Sequence, residues 1–158
     1  MNVQIQILKA DITADLVAIA EIYQALKRSG TELHEESQRI VTAYYLHNLY
    51  CAFESIFQRI ATVFGNHLSE RAGWHADLLR RMTLDISDLR PRVLSQPAYD
   101  ALDELRRFRH VFRSAYRLNL DAERLDLVCR KAQALERLYQ VDFEHFLAFL
   151  DDMTRTNE

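Results

Sequence analysis

Glycine and proline are scarce in this chain. It has three glycines and two prolines in 158 residues, and no glycine follows Gly73. Folds built from strands and tight turns need more of both residues, because these residues supply the backbone angles that turns require. The scarcity therefore predicts an all-helical protein.

Cysteine is also scarce, and long apolar runs are missing. The two cysteines, Cys51 and Cys129, lie far apart within apolar helical patterns, which predicts reduced thiols in the core. No stretch approaches the ~18 apolar residues of a membrane span. The first residues lack a basic region followed by an apolar run, so we expect no secretory signal. These features predict a cytoplasmic protein that does not associate with membranes.

The length and the charge limit the remaining possibilities. A chain of 158 residues suits one well-buried core, which predicts a single domain over residues 1–158. The net charge of −3 argues against a general nucleic-acid-binding surface, which is usually basic. Anion binding would have to come from a local cluster, and the run from Arg106 to Arg117 is the strongest candidate.

The spacing of apolar residues predicts five helices. Steps of three and four residues mark a first helix that ends before Gly30 and a second over about residues 34–64. A weaker third helix is predicted over about 72–85, a fourth from about 97 to 118, and a fifth after the N-cap Asp121. The second and fifth should be the longest. Five helices with short connections predict a single five-helix up-down bundle.

Metal and cofactor sites have little support in the sequence. A di-iron bundle needs Glu-x-x-His on two helices, and the nearest pattern here is Asp142-x-x-His145, found once. The glycines are too few and too far apart to form a phosphate-binding loop. We therefore expect neither a metal ion nor a cofactor.

The most distinctive segment runs from Leu105 to Leu120, with five arginines and a histidine but no acidic residue. At about 100° per residue, Arg109 lies at the centre of the apolar arc of the fourth helix, and Arg113 lies beside it. A guanidinium keeps its proton on burial, so it requires a partner, a polar cavity or a ligand. One interpretation is a buried ion pair that fixes the helix register. The other is recognition of a phosphoryl group or cleavage of an RNA backbone.

The second interpretation has a chemical basis. Arginine stabilises an anionic pentavalent phosphorus through bidentate hydrogen bonds. Histidine can move a 2′-hydroxyl proton near neutral pH, and a tyrosine such as Tyr116 can stack on a base or hold a phosphate oxygen.

A polar stripe on the second helix also has two interpretations. His47, Tyr50 and Glu54 share one face, away from the apolar arc. The simpler interpretation is a solvated outer face. The alternative is that Glu54 orients an arginine of the fourth helix, because a buried Arg109 needs a carboxylate, for which Glu54 and Asp103 are the candidates.

The arginine segment resembles the HEPN superfamily, specifically the HepT-like ribonuclease toxins paired with minimal nucleotidyltransferase antitoxins. The signature of that family is Arg, four to six residues, His, one residue, Tyr. Arg109 and Tyr116 match the Arg and the Tyr, whereas the histidine position is Ser114. The segments 45–57, 74–79 and 90–91 also look like parts of HepT-like proteins, so the resemblance covers roughly residues 44–150.

The resemblance implies a two-fold homodimer in which the fourth helices face each other. Their motifs would line a composite, metal-independent cleft that cuts RNA. Arg109 would stabilise the phosphate, and Arg106, Arg113 and Arg117 would bind the substrate. The resemblance further implies a cognate nucleotidyltransferase antitoxin that neutralises the toxin by transferring AMP to Tyr116.

Ser114 leaves three functions open. A serine hydroxyl binds a phosphate but does not act as an acid or base at neutral pH. The chemistry could have moved to His110, although that residue points about 100° away from Arg109 on the same helix. The first function is thus an endoribonuclease toxin or a weakened version of one. The others are a non-catalytic module that binds nucleotides or RNA, and a structural partner subunit of a nucleotidyltransferase.

Overall fold

The computed structural model describes residues 2–29, 33–65, 71–114 and 119–156. Within these ranges the chain forms five α-helices: α1 Asn2–Arg28, α2 Glu36–Val63, α3 Trp74–Arg81, α4 Gln96–Ser114 and α5 Ala122–Arg155. These ranges contain no strand, only an isolated bridge between Ile86 and Arg90. The predicted all-α fold is confirmed. The second and fifth helices are the longest, as predicted, with 28 and 34 residues.

α1, α2, α4 and α5 form the bundle, and α3 lies on its edge. α1 and α4 each pack against both α2 and α5, and α3 packs against α2 and α4. Ion pairs fix the antiparallel register of α1 and α5, from Lys9 with Asp151 at one end to Lys27 with Glu136 at the other. The predicted bundle is thus an up-down arrangement of α1, α2, α4 and α5, with α3 placed over the α2–α4 edge.

Aromatic side chains fill the centre of the bundle. Phe53 of α2 is fully buried, and its ring centroid lies 5.2 Å from that of Tyr139 and 6.5 Å from that of Phe143, both on α5. Full burial of a side chain of this size stabilises the fold by about 1.5–3 kcal/mol. These contacts hold α2 against α5, and α2 also packs against α1, α3 and α4.

α3 is shorter than the prediction of about residues 72–85. Gly73 precedes it with a positive φ of 83°, and the chain leaves the helix after Arg81 through tight turns. The buried guanidinium of Arg90 donates to the carbonyl oxygens of Arg81, Leu84 and Pro91. The bonds to Arg81 and Leu84 occupy carbonyls that a longer helix would use, and together the three bonds tie the end of α3 to the following loop.

The starts of α4 and α5 differ in how they are fixed. The Asp121 carboxylate accepts a hydrogen bond from the Glu123 amide at 3.2 Å, which confirms the predicted N-cap of α5. At the start of α4, the hydroxyl and the amide of Ser95 both donate to Oδ2 of Asp142, at 2.9 and 2.8 Å. Asp142 therefore anchors the start of α4 to α5.

Two kinds of feature were not found in the described ranges. No helix there combines the length and the hydropathy needed to cross a membrane. No group of three or more His, Cys, Asp or Glu side chains there could hold a metal ion.

Candidate functional site

The buried face of α4 places Arg109 at its edge. The fully covered residues of this helix are Ala98, Ala101, Leu102, Leu105 and Phe108. Phe112 and Arg109 are half-buried, because the last turn of α4 extends beyond the cover of its neighbours. Arg109 thus lies on the apolar arc of α4, as its spacing predicts, but it is half-buried instead of fully covered.

Arg109 is held by a cysteine of α2. Its Nε donates to the Sγ of Cys51 at 3.2 Å. Burial alone lowers the pKa of the Arg109 guanidinium, but the Cys51 sulfur, and then Glu54 and Tyr50, raise it by more, so the pKa lies above its ordinary value. Among the described residues, Arg109 forms no ion pair with a carboxylate. The bond to Cys51 fixes the side chain through Nε and leaves its two terminal nitrogens available.

The neighbouring arginines of α4 are neutralised by an acid. Asp103 accepts from Nε and Nη2 of Arg106, both at 2.9 Å, and from Nη2 of Arg107 at 2.9 Å. Asp103 was one of the two carboxylates expected to meet Arg109, and it serves these two residues instead. Arg109 thus differs from Arg106 and Arg107 in having no carboxylate partner in the described chain.

Glu54 contacts a histidine of α3. The Glu54 side chain is buried, with 6% of the residue exposed, and its Oε2 lies 2.8 Å from the Nδ1 of His75. It acts on Arg109 through its charge, without an ion pair. The prediction that Glu54 orients an arginine directly is therefore replaced by a direct contact with His75. The interpretation of this stripe as a solvated face is wrong, because Tyr50 is also fully buried.

The Tyr50 hydroxyl lies among these charges. It is buried and forms no hydrogen bond of good geometry among the described residues, although it lies close enough to the Glu54 carboxylate for a weak hydrogen-bond interaction. Burial foremost, and then Glu54, raises the pKa of Tyr50 far above its ordinary value, while Arg106 and Arg109 lower it by less. A buried hydroxyl that loses its hydrogen bonds to water costs about 1–3 kcal/mol, and a weak bond to Glu54 offsets only part of that cost.

His47 completes the α2 side of the groove. Its ring centroid lies 5.2 Å from that of Phe112, and both ring nitrogens lie 3.9 Å from the Sγ of Cys51. His47 and Arg109 therefore flank the same sulfur. The α2–α4 groove, as we define it, consists of His47, Cys51, Tyr50, Glu54, His75, Arg109 and Phe112.

The comparison with protein families places this groove within a known type of domain. A family model described as HepT-like protein matches residues 41–150, which include every residue of the groove. The chain belongs to the HepT-like protein family. No curated protein matches it, and no solved structure matches it.

The HepT-like motif is only partly brought into the groove. Arg109 lies there as predicted, and Arg106 lies beside it in its ion pair with Asp103. His110, Arg113 and Ser114 are exposed, and no contact links any of them to the groove in the described part of the chain. Tyr116 and Arg117 lie outside the described residues.

Three groove residues were missed by the sequence reasoning. Cys51 follows His47 by one helical turn, so the spacing alone could have placed it on the same face. Tyr50 was noted only as part of a polar stripe. His75 contacts Glu54 across 21 positions of sequence, and no local pattern in this HepT-like chain predicts such a contact.

A separate cavity lies on the other side of the bundle. It has a volume of about 550 Å³, lies between α1, α2 and α5, and is lined by residues such as Tyr23, Leu46 and Cys129. None of its described lining residues comes from α4. The groove of this HepT-like protein combines buried side chains, such as Glu54, with partly exposed ones, such as His47 and Arg109.

Proposed function

We propose that this HepT-like protein is a metal-independent endoribonuclease, or a weakened descendant of one, that acts as a toxin. The observation that carries the proposal is the state of Arg109. Its Nε is fixed by Cys51 at 3.2 Å, and no carboxylate neutralises it within the described residues. A half-buried, preorganised guanidinium of this kind can donate two hydrogen bonds to one phosphate.

The neighbourhood of Arg109 supports phosphate binding more than a structural ion pair. A structural pair on this helix already exists, since Asp103 neutralises Arg106 and Arg107. Had Arg109 served only to fix helix register, a buried carboxylate opposite it would be expected. Glu54 is the nearest candidate, and its oxygen binds His75.

The proposed active unit is a two-fold homodimer. Ile40 and Tyr44 lie on the same face of α2 as His47 and Cys51, at steps of four, three and four residues. They are 47% and 55% exposed, so this face continues past the groove as an uncovered apolar surface, the Ile40/Tyr44 surface. A second copy bound there would bring two Arg109 side chains towards one cleft and would exclude water from it.

The proposed partner is a cognate nucleotidyltransferase antitoxin. Family membership supports this proposal, and Tyr116 is its proposed acceptor of AMP. Tyr116 follows Ser114, the last described residue of α4, by two positions in the sequence. An AMP group there would add a bulky anion near the arginines that hold RNA, and it would block the site by competition.

A non-catalytic RNA- or nucleotide-binding module is the second candidate. Ser114 favours it, because serine stands at the motif position of the histidine and is exposed at the end of α4. RNA cleavage in the presence of EDTA distinguishes the two. Cleavage that disappears in Arg109→Ala supports the nuclease. RNA binding without cleavage, combined with cleavage in Ser114→His, supports the binding module.

A further inference from the structure

We propose that His75, held by Glu54, is the residue that moves the proton during RNA cleavage, in place of the histidine that position 114 lacks. This inference rests on the proposed nuclease function. It assigns the proton transfer to α3, an element outside the arginine helix that carries the motif.

The contact between His75 and Glu54 has the geometry of a base and its orienting group. The Nδ1 of His75 lies 2.8 Å from Oε2 of Glu54, and the two side chains are 27% and 8% exposed. A carboxylate is only an acceptor, so the neutral imidazole must carry its proton on Nδ1. The lone pair of Nε2 is then available to a substrate, which is the tautomer that a general base needs.

The position of the imidazole ring is fixed by a further ring contact and by the anchoring of α3. Its centroid lies 3.7 Å from that of Trp74 at an interplanar angle of 29°, so the indole covers one face of the ring. The end of α3 is tied down by Arg90, which is 3% exposed and donates to the carbonyl of Arg81. His75 is therefore partly open to solvent and yet held on a fixed element.

Glu54 joins His75 to the phosphate-binding arginine. Glu54 follows Cys51 by three positions on α2, so their side chains are neighbours on that helix, and Cys51 holds Arg109 at 3.2 Å. The charge of Glu54 also raises the pKa of both Arg109 and Tyr50. A phosphate bound to the free nitrogens of Arg109 would thus lie beside the Glu54–His75 pair.

Two other histidines fit the role less well. His110 is exposed, and it lies about 100° around α4 from Arg109. His47 lies in the groove, but its polar neighbours are distant, with Asn48 Oδ1 at 3.4 Å and Cys51 Sγ at 3.9 Å. Neither is oriented by a carboxylate in the described part of the chain.

The proposed step is an intramolecular transesterification. The Nε2 of His75 takes the proton of the ribose 2′-hydroxyl, and the 2′-oxygen forms a bond to the phosphorus. The bond from phosphorus to the 5′-oxygen breaks, and that oxygen takes a proton from solvent. The products are a 2′,3′-cyclic phosphate and a 5′-hydroxyl, and the imidazolium returns its proton to water. Arg109 stabilises the pentavalent phosphorus, while Glu54 is a positioning residue.

The test measures the cleavage of single-stranded RNA by the full chain in EDTA. We expect His75→Ala to lose at least about a hundredfold in rate, the usual size of a general-base contribution. Added imidazole should restore part of the rate, because the half-exposed side chain leaves a space open to solvent. His145→Ala is the matched control, because His145 is exposed on α5 and is not a residue of the α2–α4 groove; its rate should stay within about threefold of wild type, as is usual for surface substitutions.

A second variant tests the role of Glu54. In Glu54→Gln the amide can donate to Nδ1, so we expect the proton of His75 to move to Nε2 and the rate to fall by at least about tenfold. The ¹⁵N chemical shifts of the imidazole report the tautomer directly, which a merely structural role of Glu54 would not change.

The outcomes separate this inference from the proposed function. Wild-type cleavage that depends on Arg109 but not on His75, or that is lost in His110→Ala, overturns the inference and leaves the nuclease function in place. Loss of cleavage in His75→Ala that imidazole does not rescue at all also counts against it. A folded wild-type chain without any cleavage in EDTA contradicts the nuclease function, and the inference with it.

Discussion

The Nε of Arg109 donates a hydrogen bond to the Sγ of Cys51 across the interface between α4 and α2. This bond fixes the guanidinium without neutralising it, in contrast to the ion pairs that Asp103 forms with Arg106 and Arg107. Two adjacent turns of one helix thus carry arginines in different surroundings, one pair bound to Asp103 and one residue without a carboxylate partner in the described chain.

Alkylation of Cys51 should prevent RNA binding in the groove. A carboxamidomethyl group on Sγ would disrupt the hydrogen bond that Arg109 Nε donates to this sulfur, and it would fill the space beside His47. We expect iodoacetamide to abolish RNA binding by Cys129→Ser protein, in which Cys51 remains, and to have no effect on Cys51→Ser protein. Gel-shift titrations measure the binding. Equal sensitivity of the two variants would show that Cys51 does not border the RNA site.

The buried hydroxyl of Tyr50 should be dispensable for stability. Since it forms no hydrogen bond of good geometry in the described chain, and only a weak one with Glu54, Tyr50→Phe should leave the free energy of unfolding unchanged or raise it by up to about 1 kcal/mol. Tyr23→Phe is the matched control, because the Tyr23 hydroxyl donates to the Ala132 carbonyl at 2.7 Å, and its loss should cost about 1 kcal/mol. Urea unfolding measures the free energy of unfolding of both variants. A larger loss in Tyr50→Phe than in Tyr23→Phe would contradict the expectation.

Most of the fold follows from the spacing of apolar residues. Residues such as Leu8, Ile12 and Ile19 repeat at helical steps and are buried, and Asp121 caps α5 as its position suggests. α3 ends early because Arg90, nine positions away, binds the carbonyl of Arg81. Such a bond depends on the path of the loop, which the local sequence does not encode.

The groove was predictable only in part for the same reason. Arg109 stands out as an arginine on an apolar arc, but its half-burial depends on where the neighbours of α4 end. The contact between Glu54 and His75 depends on how α3 is placed over α2, so helical periodicity does not reveal it. A motif carried by one helix can be read from the sequence, whereas a site shared by three helices requires their packing.

The thiol of Cys129 should react slowly until the pH is high. Burial foremost, and then the charge of Asp126, raises the pKa of Cys129 to about 11. A pKa raised on folding means that the native state favours the neutral thiol. The neutral thiol of Cys129 therefore makes its full contribution to the free energy of unfolding below the ordinary thiol pKa of about 8.5. That contribution is lost as the pH rises through about 11. The alkylation rate of Cys129 in Cys51→Ser protein, measured between pH 8 and pH 11, reports the pKa of this thiol. A rate that levels off near pH 9 would contradict the raised pKa.

A charge on the Ile40/Tyr44 surface should separate the proposed dimer without unfolding the subunit. Tyr44 is 55% exposed, so Tyr44→Glu costs the monomer little, but in a dimer it would bury two unpaired carboxylates. Val111→Glu is the matched control, since Val111 is also exposed and lies about 160° around α4 from Arg109. Light scattering at micromolar concentration should give a dimer for wild type and Val111→Glu and a monomer for Tyr44→Glu. A wild-type monomer would rule out the dimer.

The most direct test of the central claim is a pair of arginine variants in one RNA cleavage assay with EDTA. Arg109→Ala removes the arginine that lacks a carboxylate partner, and Arg107→Ala removes one that is 59% exposed and paired with Asp103 on the same helix. Loss of a preorganised donor to the transition state typically lowers the rate by about 10²–10³-fold. We predict a loss of this size for Arg109→Ala and a change of less than about threefold for Arg107→Ala, as is usual for surface substitutions. Equal rates for the two variants would contradict the claim that Arg109 holds the phosphate.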